Sequence, residues 1–168
     1  LVALRGDAMN RHDLADLSRW YAPDCRVESP TAGRVVTGLK AVDDINRTWL
    51  TGFPDVVFTT TDVLVDGDEY AWIVTATGTD TGGFMGLPPT GKFFELPMVL
   101  LCQLRDGQIV DERRIYDFTG MLVQVGILSA KANPAVDITV PDNVRAAQPA
   151  PVVVTSQKMA DGVFYLTG

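Results

Sequence analysis

Residues 92–118 read KFFELPMVLLCQLRDGQIVDERRIYDF, two runs of strand-forming residues on either side of Asp106-Gly107. An Asp-Gly pair between alternating apolar runs marks a two-residue type I′ hairpin turn, whose central residues both need positive φ. With that turn alone setting the register, Leu96 pairs with Asp117, Met98 with Ile115, Leu100 with Arg113 and Cys102 with Asp111. One face of the ribbon then carries Leu96, Met98, Leu100, Cys102 and Leu104 beside Ile109, Asp111, Arg113, Ile115 and Asp117. The other carries Glu95, Gln103, Arg105, Gln108, Glu112 and Arg114 and reads as solvated. A carboxylate on an apolar face must be paired, hydrogen-bonded or protonated. Asp117 is therefore a candidate general base in a water-poor pocket, where lost hydration raises a carboxyl pKa. It reads also, and first, as the N′ or N-cap residue of a following helix, two residues before Thr119. Arg113, about 13 Å along the strand from Asp117, reads as a partner of Asp111 at the rim or as a substrate clamp.

Outward from this hairpin the pattern is simpler. VVFTTTDVLV, DGD and EYAWIVTATGTD, residues 56–80, give a second hairpin. Upstream, Leu4, Ala8, Leu14, Leu17 and Tyr21 form the stripe of a helix stopped by Pro23, CRVESP is a short strand, and Gly38 opens a second helix on Val42, Ile45, Trp49 and Leu50. TGMLVQVGIL, 119–128, is a short third helix capped by Thr119 with Leu122, Val125 and Leu128 inward. Two helices followed by an antiparallel meander predict an α+β domain over residues 1–128. Residues 129–151 are Pro-rich and aperiodic, a linker or arm, and 152–168 read as two strands.

The chain has 168 residues, 46% of them hydrophobic, enough for one sizeable core. A net charge of −7 without a basic cluster excludes nucleic acid and anionic membrane as partners. Cys25 and Cys102 have no metal-ligand spacing and read as buried small hydrophobes, which suits a reducing cytoplasm. The only histidine, His12, reads as a surface residue. A metal is not expected, nor a cofactor. The chain opens on Leu1 rather than Met, so a fragment of a longer protein is expected.

GTDTGGFMGLPPTGK (78–92) and IYDFTGMLVQVGIL (115–128) resemble the SnoaL-like polyketide cyclases of the NTF2-like superfamily, the likeness running over about residues 5–128. It implies a cone, a curved antiparallel sheet wrapped around N-terminal helices with an apolar cavity. It places Phe84 and Met85 over the cavity mouth, where they read otherwise as plugs of the core edge. It makes Asp117 the base for an intramolecular aldol closure. The chain departs from the cyclase pattern at Ile115, where the family has a histidine. Ser29 stands where ketosteroid isomerases carry their base, and Asp111, Arg113 and Asp117 supply the residue types of an epoxide-hydrolase relay. Tyr21, Trp49, Phe53, Trp72, Phe84, Met85, Met98, Arg113 and Ile115 are the expected lining for an apolar or polycyclic small molecule, the aromatics serving otherwise as ordinary core. A homodimer follows from the same resemblance, and a non-catalytic binding or accessory domain is the alternative. VVVTSQKMADGVFYLTG, 152–168, resembles the opening strands of a metallo-β-lactamase-fold domain.

Overall fold

The computed structural model describes residues 1–129 and two strands at 155–160 and 163–167. The chain divides into two units, 1–130 and 131–168. The first holds helices α1 (Val2–Asn10), α2 (Leu14–Ser18), α3 (Leu39–Gly52) and α4 (Phe118–Gln124). Its strands are β1 (Tyr21–Ser29), β2 (Arg34–Thr37), β3 (Val57–Asp66), β4 (Glu69–Thr79), β5 (Phe93–Arg105) and β6 (Gln108–Tyr116). They form one curved sheet in the order β2-β1-β6-β5-β4-β3, every neighbouring pair antiparallel except β1 with β6, which is parallel. The second unit contains β7 (Thr155–Ala160) and β8 (Val163–Thr167), an antiparallel pair. The proposed linker, 129–151, lies almost wholly outside the described residues. No described helix is long and apolar enough to cross a membrane.

The expected first helix is two. Arg11, His12 and Asp13 interrupt it, His12 taking φ 57°, and Asp13 caps α2 by accepting the Asp16 N–H at 3.0 Å. Leu4 consequently faces solvent, while Tyr21 starts β1 and Pro23 lies inside that strand. His12 is half-buried, 3.0 Å from the Val56 carbonyl through Nε2, and so is tied down rather than free at the surface. Strand β2 is an addition. Helix α3 follows its pattern, with Gly38 as N-cap and Val42, Ile45 and Trp49 buried.

The Asp106-Gly107 turn forms as expected, with φ 53° and 77° and Arg105 opposite Gln108. Two residues beyond it the register changes. Leu104 pairs with Ile109 but Gln103 pairs with Asp111, leaving Val110 as an extra residue in β6. One extra residue sends every later side chain of that strand to the other face. Met98 therefore faces Tyr116, Leu100 faces Arg114 and Cys102 faces Glu112. The expected pairs Leu96 with Asp117, Met98 with Ile115, Leu100 with Arg113 and Cys102 with Asp111 are overturned. Glu112 and Arg114 point into the cone, and Asp111, Arg113 and Ile115 point away from it.

Helix α4 begins earlier than expected. Asp117, not Thr119, is its N-cap, accepting the Gly120 N–H at 2.7 Å. A Cβ on Gly120 would lie 2.2 Å from Asp117 Oδ2, so a larger residue there would make the capping carboxylate turn. Met121 and Val125 face inward and Leu128 is exposed. The loop between β4 and β5 is braced by Asp80, fully buried, whose carboxylate accepts the N–H groups of Phe84 (3.0 Å) and Thr90 (3.1 Å) and the Thr90 hydroxyl (3.0 Å). At Gly82 a Cβ would come within 1.8 Å of the Thr51 carbonyl, so only glycine lets the loop dock on the end of α3. That docking drives Phe84 into a cluster around Trp49, whose ring lies 5.6 Å from Phe53, 5.5 Å from Phe84, 6.0 Å from Phe94 and 5.6 Å from Tyr116.

Deleting Val110 is expected to keep the native fold, because it closes the bulge while leaving Gln103 opposite Asp111 and Cys102 opposite Glu112. A retained near-ultraviolet circular dichroism signal and a cooperative melt check this.

Candidate functional site

The register change gathers charge inside the cone. Glu112 is fully buried and accepts from Arg5 Nη2 at 2.5 Å, from the Tyr21 hydroxyl at 2.5 Å and, through its other oxygen, from Arg114 Nε. Arg5, also fully buried, comes from α1, Tyr21 from the start of β1 and Arg114 from β6 itself. Arg5 Nη1 reaches the Tyr70 hydroxyl at 3.3 Å and Cys102 Sγ at 3.6 Å, and its guanidinium lies 5.3 Å from the ring centres of both Tyr21 and Trp72. These faces stabilise a cation that no solvent reaches. Arg114 Nη2 donates to Asn46 Oδ1 at 3.0 Å.

Burial alone would push the Glu112 carboxyl up, but the guanidiniums of Arg114 and then Arg5, with the Tyr21 hydroxyl, reverse this and hold it at about 2. Glu112 is therefore ionised, and a poor proton acceptor near neutrality. Burial holds the Tyr21 and Tyr70 phenols well above their usual values and raises the Cys102 thiol to about 11, so all three are neutral. Two guanidiniums face one carboxylate, and the cluster carries one net positive charge in a dry interior.

Beside this cluster lies a narrow cavity lined by Met9, Leu17, Asn46, Trp49, Leu50, Phe58, Met98, Leu100 and Arg114. Its volume is about 10 Å³, the room of one water at most. Asn46 and Arg114 are the polar groups on its wall, 4% and 5% exposed. Among the described residues no hydrogen bond involves Arg114 Nη1 or Asn46 Nδ2, although the fully buried side-chain atoms left without a partner are Arg5 Nε, Asp16 Oδ1 and Trp20 Nε1. Asn46 and Arg114 thus bring donor groups to an otherwise apolar space, an arrangement suited to a carbonyl or anionic oxygen.

The expected lining is divided between two faces. Tyr21, Trp49, Phe53, Trp72, Phe84 and Met98 are buried in the core, but only Trp49 and Met98 touch this cavity. Met85 is 51% exposed and Ile115 48% exposed, outside the core. Arg113 lies on the surface paired with Glu28 at 3.1 Å, and Asp111 with Arg26 at 2.7 Å, so Asp111, Arg113 and Asp117 form no relay. Asp117 is exposed and engaged with α4, not lodged among Leu96 and its neighbours. Ser29 is buried beside the Tyr116 hydroxyl, 3.2 Å away. Arg5, Asn46, Glu112 and Arg114 were not anticipated from the sequence. Arg5, a cation on the same side of the first helix as Ala8, signals a buried carboxylate, but not whether Asp111 or Glu112 supplies it.

A profile of the SnoaL-like polyketide cyclases matches residues 1–125. Among solved structures, the chain is similar to AclR from Streptomyces galilaeus, a candidate hydroxylase (26% identity, TM-score 0.67, 77% of this chain and 84% of that one). It is also similar to IdmH from Streptomyces antibioticus, a candidate polyketide cyclase (32% identity, TM-score 0.64, 74% and 95%). A ketosteroid isomerase-like protein from Catenulispora acidiphila, solved with trimethylamine, shares the fold (21% identity, TM-score 0.65, 79% and 96%). No curated protein matches the chain significantly. The likeness of 152–168 to a metallo-β-lactamase-fold domain is not upheld, since the family match ends at residue 125 and these neighbours are of the cone fold.

Glu112→Gln is expected to cost about 3–5 kcal/mol, because it strands two buried guanidiniums; urea unfolding measures it. Glu112 has a folded pKa below its ordinary 4.5, so its contribution is complete above that value and is lost as pH falls toward about 2. Melting temperature should be level near neutrality and drop across that window, and the drop should shrink in Glu112→Gln.

Proposed function

The chain belongs to the SnoaL-like polyketide cyclase family, and from that premise we propose that it acts on a carbonyl-bearing, polyketide-like small molecule, in a reaction of the cyclase or isomerase kind. The observation that carries this reading is the pair of donor groups, Arg114 Nη1 and Asn46 Nδ2, bordering an apolar cavity. A donor pair of this sort stabilises the oxygen of a ketone as its α C–H proton leaves, most strongly where water is excluded. The cavity admits no bicyclic molecule as it stands, so binding requires the wall at half-buried Leu50 and neighbouring Met9 to move.

Asp117 is the base that the family resemblance suggests. Its carboxylate serves α4 from solvent, so it would act only after releasing Gly120. That engagement favours a second reading, in which the chain holds its ligand without transforming it. Asp117→Asn separates the two, because Asn caps a helix as well as Asp does but is no base. The readout is incorporation of solvent deuterium next to the carbonyl of 2-tetralone. Acceleration that is lost in Asp117→Asn with the melt unchanged supports the enzyme with Asp117 as base. Acceleration that survives there but falls in Arg114→Met assigns the work to the donors. Binding without acceleration supports the holder, and no binding at all by wild type defeats both.

A homodimer belongs to the same proposal. Ile73, Val99 and Ile115 are successive cross-strand partners on the outer face of the sheet, next to Leu101, which is 39% exposed. Ile115→Lys should convert a dimer to a monomer in sedimentation velocity; a monomeric wild type removes this part of the proposal.

A further inference from the structure

A larger cleft lies on the opposite side of α3 from the inner cavity. It measures about 720 Å³ and is bordered by the turn before β2, by β2, by α3 and by the loop at Gly83–Gly86. Its apolar surface comes from Val36, Ala41, Ile45 and Met85, and two arginines, Arg34 of β2 and Arg47 of α3, stand on its wall. Arg5, Arg11, Arg19, Arg26, Arg105, Arg113 and Arg114 each have a carboxylate within 4.0 Å. Arg34 and Arg47 alone among the described arginines have none among the described residues, and both line this one cleft. The chain is acidic, with 21 carboxylate residues against 14 lysines and arginines, so acids are in surplus and the unpaired state is not forced by scarcity. Asp44, one helical turn before Arg47 and also on the cleft wall, turns instead to Lys40 at 2.6 Å.

Met85 adds a second, independent feature. It holds φ 56°, a left-handed conformation uncommon outside glycine, and yet leaves about half of its side chain in solvent against the cleft. Strain of this kind persists only where surrounding structure enforces it, here the Asp80 brace and the docked Gly82. The result is a methionine, a soft and adaptable apolar surface, presented opposite two unpaired guanidiniums.

We propose that this cleft is a binding site for an amphipathic anion, a molecule with a carboxylate or phosphate at one end for Arg34 and Arg47 and an apolar body for Val36, Ile45 and Met85. Guanidinium forks suit both oxyanions, and either end group would be drawn in by the same charge. The site shares no residue with the cavity of Arg114 and Asn46, so it stands or falls apart from the function proposed above.

Three probes of one shape test it: 2-naphthoate, 2-naphthyl phosphate and neutral 2-naphthamide, titrated into the ¹⁵N-labelled full chain with amide shifts recorded. Shifts at Arg34, Arg47, Met85 and Gly86 with an anionic probe are expected, together with affinity at least about tenfold below this for the amide. Tighter binding of the phosphate assigns the site to phosphorylated ligands, and tighter binding of the carboxylate to free acids. In Arg34→Gln/Arg47→Gln, both exposed positions, anion affinity should fall at least about tenfold with the melt unchanged, and Met85→Ser should weaken all three probes. Equal binding of the amide, an undiminished double variant, or shifts confined to residues around Arg114 would overturn the proposal.

Discussion

Two guanidiniums can share a dry interior only if a carboxylate lies between them, and Glu112 reaches that position because Val110 adds one residue to β6. The cluster ties three parts of the chain to a single point, α1 through Arg5, β1 through Tyr21 and α3 through Arg114 and Asn46. Its charges are expensive to bury, and hydrophobic residues of similar volume would give comparable stability. What charges give instead is a fixed geometry, since a slip by one residue would exchange Glu112 and Arg114 for Asp111 and Arg113 and leave a carboxylate one methylene shorter to span Arg5, Tyr21 and the second guanidinium. The same imbalance puts donor groups on the wall of the inner cavity, so the feature that positions the strand also supplies the polarity of the site.

The two ends of the cone are closed by different means. Around Glu112 the filling is ionic and hydrogen-bonded. Around Trp49 it is aromatic, with Phe84 delivered by a loop that Asp80 and Gly82 hold in place. The Trp49 indole N–H donates to the Thr31 hydroxyl at 3.1 Å, and that hydroxyl lies 2.5 Å from the Tyr116 hydroxyl, so even this end has its polar groups paired. The remaining space is small, and any sizeable ligand must displace side chains rather than enter a ready-made void. The roomy concavities lie outside, where Arg34 and Arg47 have no carboxylate partner among the described residues.

Much of the architecture was legible in the residues. Alternation marked both hairpins, Asp106-Gly107 marked its turn, and the stripe Val42, Ile45 and Trp49 behind Gly38 marked α3. The α1–α2 break was hidden because Leu14 and Leu17 continue the helical spacing across it, although Asp13 is an ordinary cap. The bulge was hidden for a stronger reason. Val110 is a good strand residue with no turn or glycine signature, and period-two counting from a correct turn carries the error of one residue through the whole of β6. Hydropathy could not arbitrate, because Ile115 favoured the wrong face while Glu112 and Arg114 looked like solvent residues. The need of Arg5 for a partner does not separate the registers either, because each sets one carboxylate opposite Cys102 and one arginine opposite Leu100. That single slip set Asp117 on the apolar face as a candidate base beside its reading as a helix cap, and kept Glu112 and Arg114 out of the candidate site.

Arg5 and Glu112 are separated by 107 residues. Helix α1 must therefore wait for almost the whole domain before its anchoring partner exists. Alone it has little to hold it, with Leu4 directed outward and Arg5 directed toward an absent acid. Closing so long a loop costs entropy, so the ionic anchor of α1 can form only once β6 is in place.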